Sequence, residues 1–379
     1  VLVLVLAGGA GLRLRPLTLH RPKPAVAFGG RGRLIDIVLS NLRNSSHDWP
    51  VLVLAGPHRT SLEAYLARVW GAGSGIRVSV WAGPRGRGFA GTADAVFQSL
   101  DFISRWAPEV VLVFAADHVY EMDVSEMVAE HRRSGAGVTV ASCRVDLDAA
   151  ARLGVMVTRE DGSIKDWEEK PNQPTPLPAD PVAALASMGN YAFEPGLLAR
   201  ALVADAASTT SSHDFGRDVI PALVAAGEAT AYDFSGNRGP GAATADYWRD
   251  VGTLDAYYQA SFEWVDPARH PGNATWPMPG AQGRSLADGG SVIFPGARVA
   301  STARLYRSIV LPGATVGPEV VLERSIVDEG AEVPAGTVAV DGVGMEQRPV
   351  GWVSPGGIRV LTSPGDLPGP VVHMCRAAW

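Results

Sequence analysis

The sequence predicts an α/β fold in which a doubly wound, mostly parallel sheet is followed by a short β-helix. Three observations lead there. Apolar runs of strand length recur through the first half of the chain with helical patterns between them. A stretch rich in Pro and Gly then interrupts the pattern at 267–284. Beyond it, apolar residues recur every six positions.

Residues 1–7 form an unbroken run of Val, Leu and Ala, which suits a strand buried on both faces. Similar runs follow at 51–54, 76–81, 110–115 and 138–145. Helical spacing fills the gaps: 34–42, then 92–106 with Ala93, Val96, Phe97, Leu100 and Ile103 on one face, then 124–133 with Asp123 as its cap. Strand and helix in alternation imply crossover connections and a parallel sheet. From 154 to 236 the pattern mixes short strands (154–158, 185–193, 230–234) with helical stretches at 196–204 and 214–226. The segments 172–181 and 236–245 read as loops, and 253–265 as a helix closing a first domain. The division expected is therefore 1–266, a linker at 267–284, and 285–379 for the β-helix and tail. In the last part Val299, Leu305 and Leu311 are six apart, Val310, Val316 and Leu322 repeat the interval, and so do Val327 and Val333, with Gly296, Gly313, Gly317, Gly330 and Gly336 at the turns. A six-residue period is that of a triangular β-helix, here with some three coils. The segment 346–379 gives no readable pattern.

With 379 residues, 46% hydrophobic and 19% charged, the chain can bury a sizeable core. A net charge of −6 argues against a nucleic-acid binder, though not against a nucleotide, which needs only a few placed cations. The two cysteines, Cys143 and Cys375, form neither a CxxC pair nor a disulfide framework, which favours a reducing compartment and a cytoplasmic location. The apolar run 1–7 lacks a basic flank and is too short for a signal peptide or a membrane span.

In such sheets ligands gather at the C-terminal ends of the strands, so the residues there carry the functional reading. After the first strand come Gly8, Gly9 and Gly11, then Arg13 and Arg15. Glycines let backbone amides approach an anion, and the arginines add charge; the pattern is neither a Walker loop nor GxGxxG. Lys23 lies between Pro22 and Pro24, which stiffen it for a point contact to phosphate, although a plain surface lysine is the commoner case. Gly91 and Thr92 open a helix, where free amides suit an anion or a base edge, or where simple capping suffices. Asp117 follows the strand 110–115, the place of a Mg²⁺ ligand or of an Asx turn. Glu168, Glu169 and Lys170 could bind a polyol phosphate or form a solvated face. Asp250 could cap the next helix or supply a second metal carboxylate.

Taken in order, these motifs resemble those of the sugar-1-phosphate nucleotidylyltransferases, and most of all the bacterial glucose-1-phosphate adenylyltransferases (ADP-glucose pyrophosphorylases). The ordered set is Ala7-Gly-Gly-Ala-Gly-Leu-Arg13, Lys23-Pro-Ala-Val26, Phe28-Gly-Gly30, Asp36, Leu39-Ser-Asn41, Gly91-Thr-Ala-Asp-Ala-Val96, Asp117-His118, Gly154-Val-Met156, Glu169-Lys-Pro171, Ala186-Ser-Met-Gly189, Ser212-His-Asp-Phe-Gly216 and the run from Tyr247 to Thr253. It extends to about Val340. The resemblance implies a Rossmann-like catalytic domain with a mixed sheet, then a left-handed parallel β-helix. It implies a Mg²⁺-dependent condensation of a nucleoside triphosphate, ATP, with a sugar 1-phosphate, glucose 1-phosphate, as in glycogen biosynthesis. By the same token Gly8, Gly9 and Gly11 wrap the triphosphate, with Gly91 and Thr92 near base and ribose. Arg13 and Lys23 meet the phosphates, Asp117 and Asp250 hold Mg²⁺, and Gly154, Glu169, Lys170 and Ser187 bind the sugar phosphate. A homo-oligomer, dimer or tetramer, is implied as well.

Some positions depart from the family pattern. Where the family has Thr-Gln-Tyr after the second strand, this chain has Leu54-Ala55-Gly56-Pro57. Before the Gly-Thr-Ala-Asp motif it has Phe89-Ala90 in place of an aromatic and Arg, and before Arg21 it has His20. These are the positions expected to read the base and an activator. Other readings therefore stay open: the same chemistry with another nucleotide or with a cyclitol or amino-sugar phosphate, a regulatory subunit of such an enzyme, or an acyltransferase built on the β-helix.

Overall fold

The computed structural model describes residues 1–9, 11–46, 48–56, 59–83, 88–237, 247–266, 286–287, 289–340 and 352–363. The expected linker at 267–284 and most of the loop at 236–245 lie outside them. The chain divides into two compact units, Val1–Gly9 with Ile37–Trp248, and Ala10–Asp36 with Arg249–Trp379. The boundary expected at 266 is thus one of chain order. By contact, residues 10–36 and 249–266 group with the β-helix.

The first unit is built on a nine-stranded sheet, whose strands are numbered here in chain order: β1 (Leu2–Ala7), β2 (Pro50–Ala55), β3 (Arg77–Trp81), β4 (Val111–Ala115), β5 (Val138–Asp146), β6 (Gly154–Thr158), β7 (Ile164–Glu169), β8 (Ala183–Phe193) and β9 (Ala229–Asp233). The order is β7-β6-β8-β4-β1-β2-β3, and β5 pairs with β8 and β9. The strands β3, β2, β1 and β4 run parallel, as the alternating first half predicts. Leu2, Val3, Leu4 and Val5 are fully buried, which explains the unbroken apolar run of β1. The second half makes the sheet mixed. β8 runs antiparallel to β4, β5 and β6, and β6 and β7 form an antiparallel hairpin. A hairpin needs only a tight turn, supplied by Gly162 at φ +82° and the bond from Arg159 N to Ser163 O at 2.8 Å. β7 was not visible in the sequence pattern because its exposed Lys165 and Asp166 mask the alternation.

Two helical readings change in detail, and one helix is added. The segment 92–106 is two helices, Thr92–Phe97 and Leu100–Trp106, broken where Ser99 Oγ donates back to Val96 O at 2.8 Å. The stretch 214–226 opens as a π-helical turn, Phe215–Val219, before the helix Ile220–Ala225 with its early Pro221. The added helix is Thr60–Val69, with Leu62, Tyr65 and Leu66 buried along one face. None of the described helices is long and apolar enough to cross a membrane.

The second unit holds two short turns, Leu12–Leu14 and Lys23–Ala25, a small hairpin (Ala27–Phe28 with Gly32–Arg33), the helix Leu254–Val265 and the β-helix. Trp264 is fully buried and packs on Phe28, so closely that a side chain on Gly29 would meet its indole at 2.7 Å. The coils of the β-helix are three-sided, with parallel pairs along each face. Bonded neighbours sit 17 residues apart, as in the ladder Ser291–Ser308–Ser325, where each serine Oγ accepts the amide of the next. One side of each coil therefore takes five residues rather than six. The interior row runs from Leu305 to Val310, not to Leu311 as strict six-residue spacing suggests. Part of the unread tail is structural: Arg359–Leu361 pairs parallel to Ser325–Val327 and adds another strand to that face, backed by Trp352–Val353.

Candidate functional site

The candidate residues fall in both units. In the first unit, β1, β2 and β4 end level with one another, Ala7 opposite Ala55 and Leu6 opposite Ala115. Gly8, Gly9, Gly56 and Asp117 follow directly. Gly8 and Gly56 approach so closely that a side chain on Gly56 would meet Gly8 O at 2.9 Å, and the Phe89 ring lies over Gly8. Phe89 and Gly56 were noted in the sequence only as departures from a pattern. The structure makes them neighbours of the glycine turn.

Asp117 is partly exposed, with 38% of its side chain open to solvent. The segment after it is tied down by Asn41, whose Nδ2 donates to Tyr120 O at 3.1 Å and whose Oδ1 accepts from Met122 N at 3.2 Å. His118 lies beside Asp117, Nε2 to Oδ1 3.6 Å, with its ring on Trp248 at 5.0 Å. Gly189, at φ +69° on a bulge in β8, leaves room for that imidazole.

The residues expected to bind a sugar phosphate share one edge. Gly154 pairs with Glu169 across β6 and β7, and Ala186, next to Ser187, pairs with Val155. Lys170 Nζ donates to Glu169 Oε1 at 2.8 Å, and the Lys170 backbone is held at φ +49°, an uncommon place for a non-glycine residue. Ser187 is buried and accepts from Gly189 N at 3.1 Å. Gly154 has a packing reason to be glycine, since a side chain there would meet the Trp167 ring at 2.4 Å. The hydroxyl of Thr92 is engaged inside the protein: it donates to Asp214 Oδ2 at 3.0 Å and accepts from Phe215 N at 2.9 Å. Ala93 N donates to His213 O at 2.8 Å, and Gly91 has no room for a side chain against His213 O. Gly91 and Thr92 thus dock one helix start onto the 212–215 turn, a contact that sequence spacing does not reveal.

In the second unit Gly11, Arg13, Lys23 and Asp250 come together. Gly11 takes φ +58°, and a side chain on it would meet Thr18 at 3.0 Å and Lys23 at 3.1 Å. Thr18 Oγ1 closes the loop by donating to Gly11 O at 2.8 Å. Lys23 is buried, and its ammonium lies 3.6 Å from Asp250 Oδ1. Gly252 lies against both the Arg13 guanidinium and the Asp250 carboxylate. Two cations and one carboxylate around a glycine turn can take a polyphosphate and a cation that accompanies it. Among the described residues no three His, Cys, Asp or Glu cluster as a self-sufficient metal cage. One or two carboxylates are enough for Mg²⁺, which completes its shell with water and substrate phosphates.

A cavity of about 430 Å³ lies elsewhere in the first unit, lined in part by Asp205, Ser211, Arg217 and Asp218, and includes none of the candidate residues.

Comparison with known proteins identifies the family of each part of the chain. Residues 2–265 match the nucleotidyl transferase family, and 284–361 match the GlmU-like C-terminal hexapeptide family, in accord with a left-handed parallel β-helix. Among curated proteins, the glucose-1-phosphate adenylyltransferase of Rhodococcus erythropolis is 46% identical over 296 residues, covering 74% of this chain and 72% of that protein. Those of Frankia casuarinae, 47% identical over 288 residues, and Corynebacterium jeikeium, 44% over 295, cover 73% and 76% of this chain and 70% and 73% of their own length.

Proposed function

The chain belongs to the nucleotidyl transferase family, and from that premise we propose that it condenses ATP with glucose 1-phosphate to ADP-glucose and pyrophosphate. One observation carries the reading: the buried Lys23, held 3.6 Å from Asp250 and packed against the turn at Gly11, with Arg13 close by, where phosphates can approach the backbone.

The chemistry asks little of acid–base groups. A sugar phosphate is already an anion, so its oxygen attacks the α-phosphorus without a general base, and pyrophosphate leaves as the P–O bond to it breaks. The work is to align two anions and offset their repulsion. Gly8, Gly9 and Gly11 offer backbone to the triphosphate, and Arg13 and Lys23 meet the charge that grows on the departing pyrophosphate. Gly91 and Thr92 lie on the base and ribose side. Glu169 takes sugar hydroxyls, Lys170 takes the sugar phosphate, and Gly154 and Ser187 shape that edge. Asp117 and Asp250 are the hard oxygen ligands that suit Mg²⁺, which when bound neutralises phosphate charge. The homo-oligomeric state, dimer or tetramer, and the cytoplasmic location belong to the same proposal, the latter supported by a chain with only two cysteines.

A second reading keeps the chemistry and changes a substrate. Phe89 over Gly8 and the Ala55-Gly56 strand end replace residues the family uses around the base. A pyrophosphate-release assay over a matrix of nucleoside triphosphates against sugar, amino-sugar and cyclitol phosphates tests both. Fastest release with ATP and glucose 1-phosphate is the expected outcome. Release with a different pair only would move the assignment to that pair. No release with any pair would sink the catalytic reading and favour a regulatory subunit.

A further inference from the structure

Lys23 sits on a turn flanked in sequence by two arginines, Arg21 and Arg33. Arg21, two residues before it, donates from Nη1 to Leu17 O at 3.0 Å and to Asp328 Oδ1 at 2.7 Å. Arg33 donates to Ala25 O, the last residue of the Lys23–Ala25 turn, and makes a two-pronged pair with Glu329 at 3.0 and 2.8 Å. Arg21 Nε also lies 3.6 Å from Glu329 Oε2. Arg21 therefore bridges Leu17 O, ahead of the turn, and Arg33 bridges Ala25 O, at its end, to carboxylates of one β-helix corner, 307 and 296 residues further along the chain. Asp328 is nearly buried and accepts from Glu329 N at 2.7 Å, which fixes the corner itself.

Such pairs are a poor device for stability alone, because removing charges from water offsets most of their attraction. Burial pushes the Asp328 carboxyl above its ordinary value, while Arg21 beside it draws it back. Fork-shaped guanidinium–carboxylate pairs are, however, good at fixing geometry. We propose that the Asp328–Glu329 corner is a positioning element for Lys23, so that the β-helix sets the affinity of the glycine turn for the nucleoside triphosphate. The inference rests on the nucleotidyl transfer reading and names a part of the molecule that reading does not use.

The test compares the whole chain with Glu329→Gln, Asp328→Asn and the charge exchange Arg33→Glu with Glu329→Arg. In Glu329→Gln the KM for the triphosphate is expected to rise about tenfold, the usual scale for a lost charged hydrogen bond, while the KM for the sugar phosphate and Tm hold. The exchange should recover part of the loss. Hydrogen exchange at the amides of Ala25 and Val26, which bond to Pro22 O and Lys23 O, should quicken in the same variants. Unchanged triphosphate KM and unchanged exchange in Glu329→Gln would overturn the proposal, and so would both KM values and Tm worsening together. Asp328→Asn leaves Arg21 poorly paired and can fail to fold; Glu329, at the more open rim, carries the test in that event. If the unaltered chain releases no pyrophosphate with any pair, the functional reading fails. The positioning claim is then judged by exchange and by calorimetric binding of ATP.

Discussion

Asp117 follows a buried central strand yet keeps 38% of its side chain in solvent. Replacing it with Asn removes a charge and little packing. Asp117→Asn is expected to lower turnover by about a thousandfold or more, the scale on which electrostatic stabilisation acts, with Tm unchanged; pyrophosphate release and calorimetry check it, and full activity would remove Asp117 from the mechanism. Two histidines titrate in opposite directions. His131 is buried against Thr139, and burial with Arg132 nearby lowers its pKa below 6.5. Its contribution to stability is full above 6.5 and is lost as pH falls from there towards the folded value, because the unfolded chain takes the proton first. His213 bonds to Asp205 at 2.9 Å, which raises its pKa, so its contribution is present below 6.5 and is lost as pH rises through the folded value. An NMR titration of the imidazole protons should place His213 above and His131 below the ordinary histidine; the reverse order would contradict both environments. At this scale glycine, proline and charge at strand ends mark the candidate residues in the sequence. It could not show that Thr92 spends its hydroxyl on Asp214 and Phe215, because those partners are more than 120 residues away.

Among the elements, the central parallel strands β1, β2 and β4 were the most legible, because burial on both faces writes itself as an unbroken apolar run. β7 was hidden because Lys165 and Asp166 face water side by side, and the bulge of β8 at Gly189 was hidden because a bulge leaves no period. The β-helix was legible through its spacing, but its five-residue side was not, since Leu311 is as apolar and as buried as Val310. Within that helix Leu322 is fully buried among Leu305, Val316 and Ala339. Leu322→Ala should cost about 2–5 kcal/mol, the usual range for a cavity left in a packed core, read as a shift in the denaturant midpoint. A change too small to measure would mean that the coil relaxes around the gap.

At the scale of the whole molecule, the second unit joins residues 10–36 to the β-helix, so Gly11, Arg13 and Lys23 share its fate. Heat inactivation of Leu322→Ala should therefore occur where the amides of 315–327 lose their protection from exchange, even if β1 and β4 remain protected. Hydrogen exchange with mass detection, followed alongside activity, checks this. Activity that survives the opening of the coils would show that the turn holds itself in place.

The sequence by itself determined the kinds of structure and the chemistry: a doubly wound sheet, a β-helix, glycine turns with cations, and carboxylates after strands. These are written in local periods and in short motifs, which depend on neighbours along the chain. Only the tertiary structure decided the antiparallel half of the sheet and the grouping of residues 10–36 with the β-helix. It also decided the grip of Asp328 and Glu329 on the arginines around Lys23. The sheet pairings need strands that local pattern does not match to one another, and the contacts of Asp328 and Glu329 join residues 307 and 296 positions apart; a charge carries no mark in the sequence of the partner it will meet.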